Sequence, residues 1–593
     1  MPISRKDMED RGWEACDFIF VSGDAYVDHP AFAAALICRV LEDTGYRVGI
    51  IPQPDWTNRG SYTVLGRPRL GFLVGAGNMD SLVAHYTAAK KPRSEDAYSP
   101  GGKAGLRPDR ATITYVAGIR SVYKNIPVII GGIEASLRRF AHYDYWSNQV
   151  RRSLLLDAKA DILVYGMGEQ PIRDIAYRLQ AGEPIAAIQD LRGTCVRAYA
   201  PSGSAIVLPE YEAIRGTDRD SLRRYAEHFM IQRAEADPLS ARPLAERSDG
   251  DRWVIQNPPA FPLSSQELDR LYVLPYTRRA HPQYDAAGGI PALKEMAFSL
   301  VSSRGCFGGC SFCAITFHQG RAVTGRSPES LLCEAKILSR FEGFKGYIHD
   351  LGGPTANFYR PPCARQTKGG FCADRECLFP QPCPHLKGDH REYLQTLEAL
   401  RAVEGIRKVF IRSGIRFDYL CLDSRYGQRF LKTLCRFHVS GQLKVAPEHV
   451  ASRVLTAMGK GDHETYLRFA REYREINRSL GSKQYLVPYF ISGHPGSTLQ
   501  DGIALALYLK KSRFIPNQVQ DFYPTPGTLS TVMYRTGLDP RTMEPIFVPG
   551  EREKRLQRAL VHFNKPENHS LVREALHLAH REDLLEPGPD RLL

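Results

Sequence analysis

No run of 18 apolar residues occurs in the 593-residue chain, so no segment reads as a membrane-spanning helix, and no membrane partner is expected. The opening Met1-Pro2-Ile3-Ser4-Arg5-Lys6-Asp7 is too polar to lead a secretory signal, and the expected compartment is the cytoplasm. Heptad arrays, low-complexity tracts and repeats of about 20–50 residues are also missing, which sets aside coiled-coil and solenoid architectures. Composition is otherwise that of a folded protein, with 43% hydrophobic and 24% charged residues. The length suits about two to four domains. Thirteen cysteines in a reducing compartment read as metal ligands and buried thiols, not disulfides. The formal net charge of +14 permits a nucleic-acid substrate, but the arginines are spread along the chain and form no single basic tract.

The first third alternates apolar runs with helical patterns. Asp17-Phe18-Ile19-Phe20-Val21 reads as a buried strand, a helix is expected over 30–44, and Arg47-Val48-Gly49-Ile50-Ile51 is the next strand. Further strands are expected at 70–74, 128–130 and 162–165. Continuous apolar strands separated by helices predict a parallel sheet covered on both faces, a Rossmann-like domain over 1–182. Glycines follow its strands at Gly75 and Gly77, Gly131 and Gly132, and Gly166 and Gly168. They serve either tight turns or a ligand beyond the carboxyl ends of the strands. The glycine- and cation-rich stretch 96–110 reads as a solvated surface loop, with an anion-binding lid as the alternative. Residues 183–294, broken by prolines, read as a connecting region.

Ser303-Arg304-Gly305-Cys306-Phe307-Gly308-Gly309-Cys310-Ser311-Phe312-Cys313 places three cysteines at C-x3-C-x2-C among glycines. Iron–sulfur clusters are held by thiolates, normally four, so Cys306, Cys310 and Cys313 would leave one iron of a cubane open. Open metal positions accompany chemistry instead of structural support. The alternative is a zinc knuckle of the three cysteines with His318. From 295 to 530 six βα units follow, with strands expected at 298–302, 346–350, 409–413, 443–446, 485–491 and 517–522. A proline-rich insert over 361–385 carries Cys363, Cys372, Cys377 and Cys383, with His385 close by. These could hold zinc or an auxiliary cluster, or remain free thiols. Cys333, Cys421 and Cys435 fall on helical patterns and are expected in the core. Residues 531–593 read as a basic amphipathic helical tail.

The cysteine spacing, with an aromatic directly before the third, resembles the cluster motif of the radical S-adenosylmethionine (SAM) superfamily. Together with Gly352-Gly353-Pro354-Thr355 and Tyr523-Pro524-Thr525-Pro526-Gly527, the chain resembles the YgiQ-like radical SAM family over nearly its whole length. The resemblance implies a partial (β/α)6 barrel after the N-terminal domain. It also implies a 4Fe–4S cluster on Cys306, Cys310 and Cys313, whose open iron chelates the amino and carboxylate groups of SAM. One electron, from a donor such as flavodoxin or ferredoxin, would cleave SAM to methionine and a 5′-deoxyadenosyl radical. Gly352 and Gly353 occupy the segment that receives the methionine amino group, with Pro354 in place of the family's acidic residue. By position, Ser413 and Glu448 contact the carboxylate and ribose, and a carboxylate accepts from both ribose hydroxyls. The N-terminal half resembles cobalamin-binding domains but lacks the D-x-H-x-x-G ligand pattern, since Asp28-His29-Pro30 sets the two residues side by side. The implied activity is C–H activation of an unidentified substrate, a small metabolite, RNA or protein, with methyl or methylthio transfer as an alternative. The absence of a β-rich RNA-binding module after the barrel separates the chain from tRNA methylthiotransferases. A non-catalytic iron–sulfur or zinc protein that binds nucleic acid is the alternative of another class, and no individual catalytic residue is assigned.

Overall fold

The computed structural model describes residues 1–593 apart from 202, 517 and 518. The first apolar run forms β1 (Phe18–Ser22), every residue of which is buried. Phe18 and Phe20 join Leu36, Val40 and Leu41 of the helix Ala33–Asp43 in one layer. Ile19 and Val21 join Tyr115, Val116 and Ile119 of the helix Ala111–Val122 in the other. Successive strand side chains point to opposite faces, so a strand covered on both sides is apolar without a break. Each large side chain buried in this way contributes roughly 1.5–3 kcal/mol.

β1 pairs in parallel with β2 (Val48–Pro52) and β3 (Gly71–Gly75), and the parallel run continues through β4 (Val128–Gly131) and β5 (Ile162–Val164). The segment expected to be a connection does more than connect. It adds β6 (Thr194–Ala198), β7 (Ile206–Val207), β8 (Leu244–Arg247) and β9 (Trp253–Gln256) to the same sheet. The nine strands lie in the order β2-β1-β3-β4-β5-β6-β9-β8-β7, with β6 antiparallel to β5 and to β9. These strands are short, and prolines between them mask the pattern in the sequence.

The second half starts with β10 (Leu300–Val301), which runs into β11 (Ser303–Arg304); β11 pairs antiparallel with β12 (Thr324–Gly325) and ties the two ends of the cysteine loop together. β13 (Tyr347–Ile348) and β14 (Leu351–Gly352) form one interrupted stave, parallel on one side to β10 and on the other to β15 (Lys408–Val409). β16 (Gln442–Glu448), β17 (Tyr485–Ser492) and β18 (Gln520–Asp521) complete the parallel set. Six staves therefore stand where the periodicity places them, and the first two residues of the expected sixth, 517 and 518, lie outside the described residues. Helices Glu551–Val561 and His569–Leu578 of the tail pack Leu556, Leu560, Val572 and Leu576 against Leu505 and Leu509 of the helix Leu499–Ser512. Among the described residues no helix is long and apolar enough to cross a membrane.

Two side-chain expectations are corrected. Cys435 is buried and Cys421 half-buried, but Cys333 is exposed on the helix Pro328–Leu338. The loop over 96–110 is pinned to the sheet: Arg107 is 1% exposed and donates to Asp24 at 2.7 Å, to Asp96 at 3.1 Å and to the Ala76 carbonyl at 2.6 Å. Composition suggested solvent because glycines and cations usually belong there, yet one arginine has two buried carboxylates to meet. Burial pushes the Asp24 carboxyl up to about 6 even with Arg107 beside it. Arg107→Ala is expected to cost about 3–5 kcal/mol at neutral pH by leaving buried carboxylates unpaired. A group that keeps its proton to higher pH when folded favours the folded state in acid. With Arg107 gone the Asp24 carboxyl is pushed higher still, so the deficit in denaturant unfolding should shrink as pH falls towards about 6 and vanish below it.

Candidate functional site

The cysteine loop is closed by close backbone approach. Gly305 has φ +81°, and a β-carbon there would collide with the Ala322 carbonyl, so the position requires glycine. The Cys306 N–H donates to the Gly320 carbonyl at 3.1 Å, and the Cys313 N–H to the Cys310 carbonyl at 3.1 Å. Phe307 is fully buried and stacks on Phe358 with ring centroids 3.7 Å apart, which anchors the loop beneath its first cysteine. Cys306 faces the Thr355 hydroxyl at 4.0 Å. At Gly308 an added β-carbon would stand 3.3 Å from the Cys306 sulfur and 2.5 Å from Arg416 Nη1, so this glycine keeps space open at the trio.

The electrostatics favour a bound cation. Burial raises the Cys306 thiol, and burial together with Cys310 and Cys306 pushes Cys313 up to about 12. Without added positive charge these groups stay protonated, and metal coordination is what deprotonates such thiols. One fixed cation is already in place. Arg416, 7% exposed, donates to Cys310 Sγ at 3.3 Å and is held by Asp418 at 2.5 Å. Burial opposes ionisation of Asp418, but the Arg416 guanidinium holds its carboxyl down to about 2. Three free thiols with no competing disulfide, a glycine-kept gap and a neighbouring cation fit an iron–sulfur cluster held at three corners.

Gly352, Gly353 and Ser413 are brought together on a cavity of about 630 Å³ between the carboxyl edge of the N-terminal sheet and the mouth of the barrel. Ser413 donates to Asp350 at 2.5 Å, and a β-carbon at Gly353 would stand 2.7 Å from Ser303 Oγ, a buried hydroxyl without a partner. Glu448 is not on that cavity. It is buried, with φ +68°, 3.8 Å from Lys460 Nζ, and its charge reaches Cys313 from the fourth stave. Arg416, after the third stave, meets the cysteine loop at Gly308 and Cys310. His318 turns Nδ1 to Ser136 Oγ at 2.9 Å, and among the described residues no three His, Cys, Asp or Glu side chains converge on one ion. The knuckle of three cysteines with His318 is thus not assembled.

The sheet-edge glycines Gly75, Gly77, Gly131, Gly132, Gly166 and Gly168 line a smaller cavity of about 110 Å³ that His318 also reaches. Arg304, next to the cluster loop, forms an ion pair with Glu169 at the start of the helix Glu169–Gln180. Sequence reading missed this pair and the Arg416–Asp418 pair; each joins elements distant in sequence or hidden in a loop, and only a lone arginine beside a motif pointed to them.

A family model described as radical SAM N-terminal matches residues 1–299, one described as the radical SAM superfamily matches 300–509, and a domain of unknown function, DUF3362, matches 517–593. A UPF0313 protein of Clostridium botulinum (strain 657 / Type Ba4) is 52% identical, covering 100% of this chain and 92% of that protein. One from Clostridium perfringens (strain 13 / Type A) is also 52% identical, with 100% and 89% covered. Among solved structures, the cobalamin-dependent S-adenosylmethionine radical enzyme OxsB with aqua-cobalamin bound is similar in fold, with a TM-score of 0.51 at 11% identity over 96% of this chain and 72% of that one. Gly305→Ala is expected to prevent closure of the cysteine loop, since φ above zero and the Ala322 carbonyl both forbid a β-carbon. Its strain is about 1–3 kcal/mol from the backbone alone. The anaerobically reconstituted variant should bind markedly less iron and acid-labile sulfide than the parent.

Proposed function

The chain belongs to the UPF0313 family within the radical SAM superfamily, so it is a radical SAM enzyme using SAM and a 4Fe–4S cluster, and from that premise we propose that it activates a C–H bond of a substrate held between its two halves. The observation that carries the reading is the cavity of about 630 Å³ bounded by Gly352, Gly353 and Ser413 on one side and by His29, Asn78 and Gly132 of the sheet edge on the other. Such a space accepts a small molecule or a side chain or nucleotide presented by a larger one. Cys306, Cys310 and Cys313 would hold the cluster, which when bound supplies the electron that cleaves SAM to methionine and a 5′-deoxyadenosyl radical.

The chain's own residues then orient and exclude. The backbone of Gly352 and Gly353, free of side chains, lets the methionine end of SAM approach closely, and Ser413 and the unpartnered Ser303 hydroxyl offer hydrogen bonds beside it. Glu448, off that cavity and beside Cys313, would meet the ribose hydroxyls only where SAM extends from the Gly352–Gly353 edge to the cysteine loop. The stacked Phe307 and Phe358 keep water from beneath the loop, which protects a reactive intermediate. An electron donor of the flavodoxin or ferredoxin class suits this chemistry. A corrinoid would have to bind without His29, whose Nδ1 accepts from the Ala31 N–H at 3.1 Å and whose Nε2 lies 3.0 Å from Arg278. Methyl or methylthio transfer to RNA or protein is the alternative reaction on the same site.

Anaerobic protein supplied with SAM and dithionite is expected to release 5′-deoxyadenosine, and Cys306→Ala to release only the background of a mixture lacking SAM. An inert cluster in protein that binds RNA with steep salt dependence would instead support a nucleic-acid-binding role.

A further inference from the structure

The chain between β14 and the helix Arg391–Arg401 is irregular over nearly its whole length, with one short helix, Ala364–Thr367, inside it. Long structureless segments inside a compact domain need something to hold them. This one is drawn into a closed ring. The Lys387 N–H donates to the Pro362 carbonyl at 2.9 Å, and the Cys383 N–H to the Cys377 carbonyl at 2.9 Å, so its two ends and two of its cysteines are brought side by side. Cys363, Cys372, Cys377 and Cys383 all remain free thiols, all half-buried, and all four line one cavity of about 880 Å³. Cys377 lies within electrostatic reach of the other three.

We propose that Cys363, Cys372, Cys377 and Cys383 hold a second, four-thiolate iron–sulfur cluster, distinct from the three-cysteine SAM site. Two features favour a polynuclear cluster over a zinc ion. A single zinc needs its ligand atoms about 2.3 Å from one point, whereas the four thiols of the insert are set around a cavity of about 880 Å³. A cubane takes each thiolate on a separate iron, so its ligands stand apart around a cavity. A cluster with four thiolates is also anionic, and a buried cation is provided. Arg321, 6% exposed, donates to the Cys372 carbonyl at 3.0 Å and the Arg375 carbonyl at 2.8 Å, pairs with Glu376 at 2.8 Å, and its charge reaches Cys377, Cys372 and Cys306.

The two centres are neighbours. Cys306, Phe307, Phe358, Leu378 and Tyr419 form one apolar cluster, and Cys377 packs against it. The second cluster would thus brace the insert against the loop that carries the first, with Arg321 between them.

Iron and acid-labile sulfide counted after anaerobic reconstitution test the assignment without reference to SAM cleavage. The parent chain is expected to carry about eight iron atoms, and Cys306→Ala/Cys310→Ala/Cys313→Ala to keep about four with an electron paramagnetic resonance signal indifferent to SAM. Cys372→Ser/Cys377→Ser should likewise keep about four, with a signal that SAM perturbs. Circular dichroism of each variant reports whether it has folded, and the triple variant leaves the insert untouched if the double variant fails. A triple variant that folds and holds no iron, or one equivalent of zinc bound in place of the second cluster, overturns the proposal.

Discussion

Three thiols crowd one short loop in this protein, and burial makes ionisation of Cys306 and Cys313 unfavourable without a positive charge to answer it. Burial lifts Cys306 and Cys313, and each neighbouring sulfur lifts Cys313 further. The surroundings meet that constraint in two ways. Arg416 brings a permanent cation to Cys310, with Asp418 balancing it, and the loop geometry leaves room for a metal centre to bring the rest. The same demand explains the tight loop stem at Gly305 and the stacked aromatic pair beneath it, because thiols that await a charged group must be held at fixed spacing before it arrives.

Around that loop the two halves are joined by buried ionic links. Within the N-terminal half Asp28 binds Arg39 at 2.5 Å and accepts from the Thr277 N–H at 3.0 Å, and the adjacent Arg278 crosses to Glu334 of the second half, which in turn pairs with Arg326. The hairpin of His142–Asp144 with Gln149–Arg151 sends Tyr143 and Tyr145 into a shared apolar cluster with Leu529, Val532 and Met533. Buried ion pairs add little net stability when complete but are costly to break. Their value here is registry: they set the sheet edge opposite the barrel mouth, and the cavity bearing Gly352 and Gly353 exists only because both walls are held.

The elements were legible to different degrees. β1 through β5 could be read because strands buried on both faces are continuously apolar, and the staves because short apolar or alternating runs recur between helical patterns, as in Gln442–Glu448 with its exposed Gln442 and Lys444. β6 to β9 could not, since short strands between prolines carry too little periodicity, and their membership of the sheet depends on partners far along the chain. Arg107 shows the same limit for a side chain: nothing local distinguishes a solvated arginine from one that meets Asp24 and Asp96. Cys333 shows the converse, an apolar-looking helical position that faces outward.

The order of residues by itself determined that three thiols lie close together on one short glycine-bearing loop, a spacing suited to three corners of a cubane. It also determined the two-part α/β architecture, which hydrophobic periodicity encodes locally. Only the tertiary structure decided which charges surround the cluster, that Glu448 approaches it from the side of Cys313, and that the four cysteines of the insert face one cavity. Those are contacts between segments remote in sequence, and burial and charge pairing at such contacts are set by the packed fold alone.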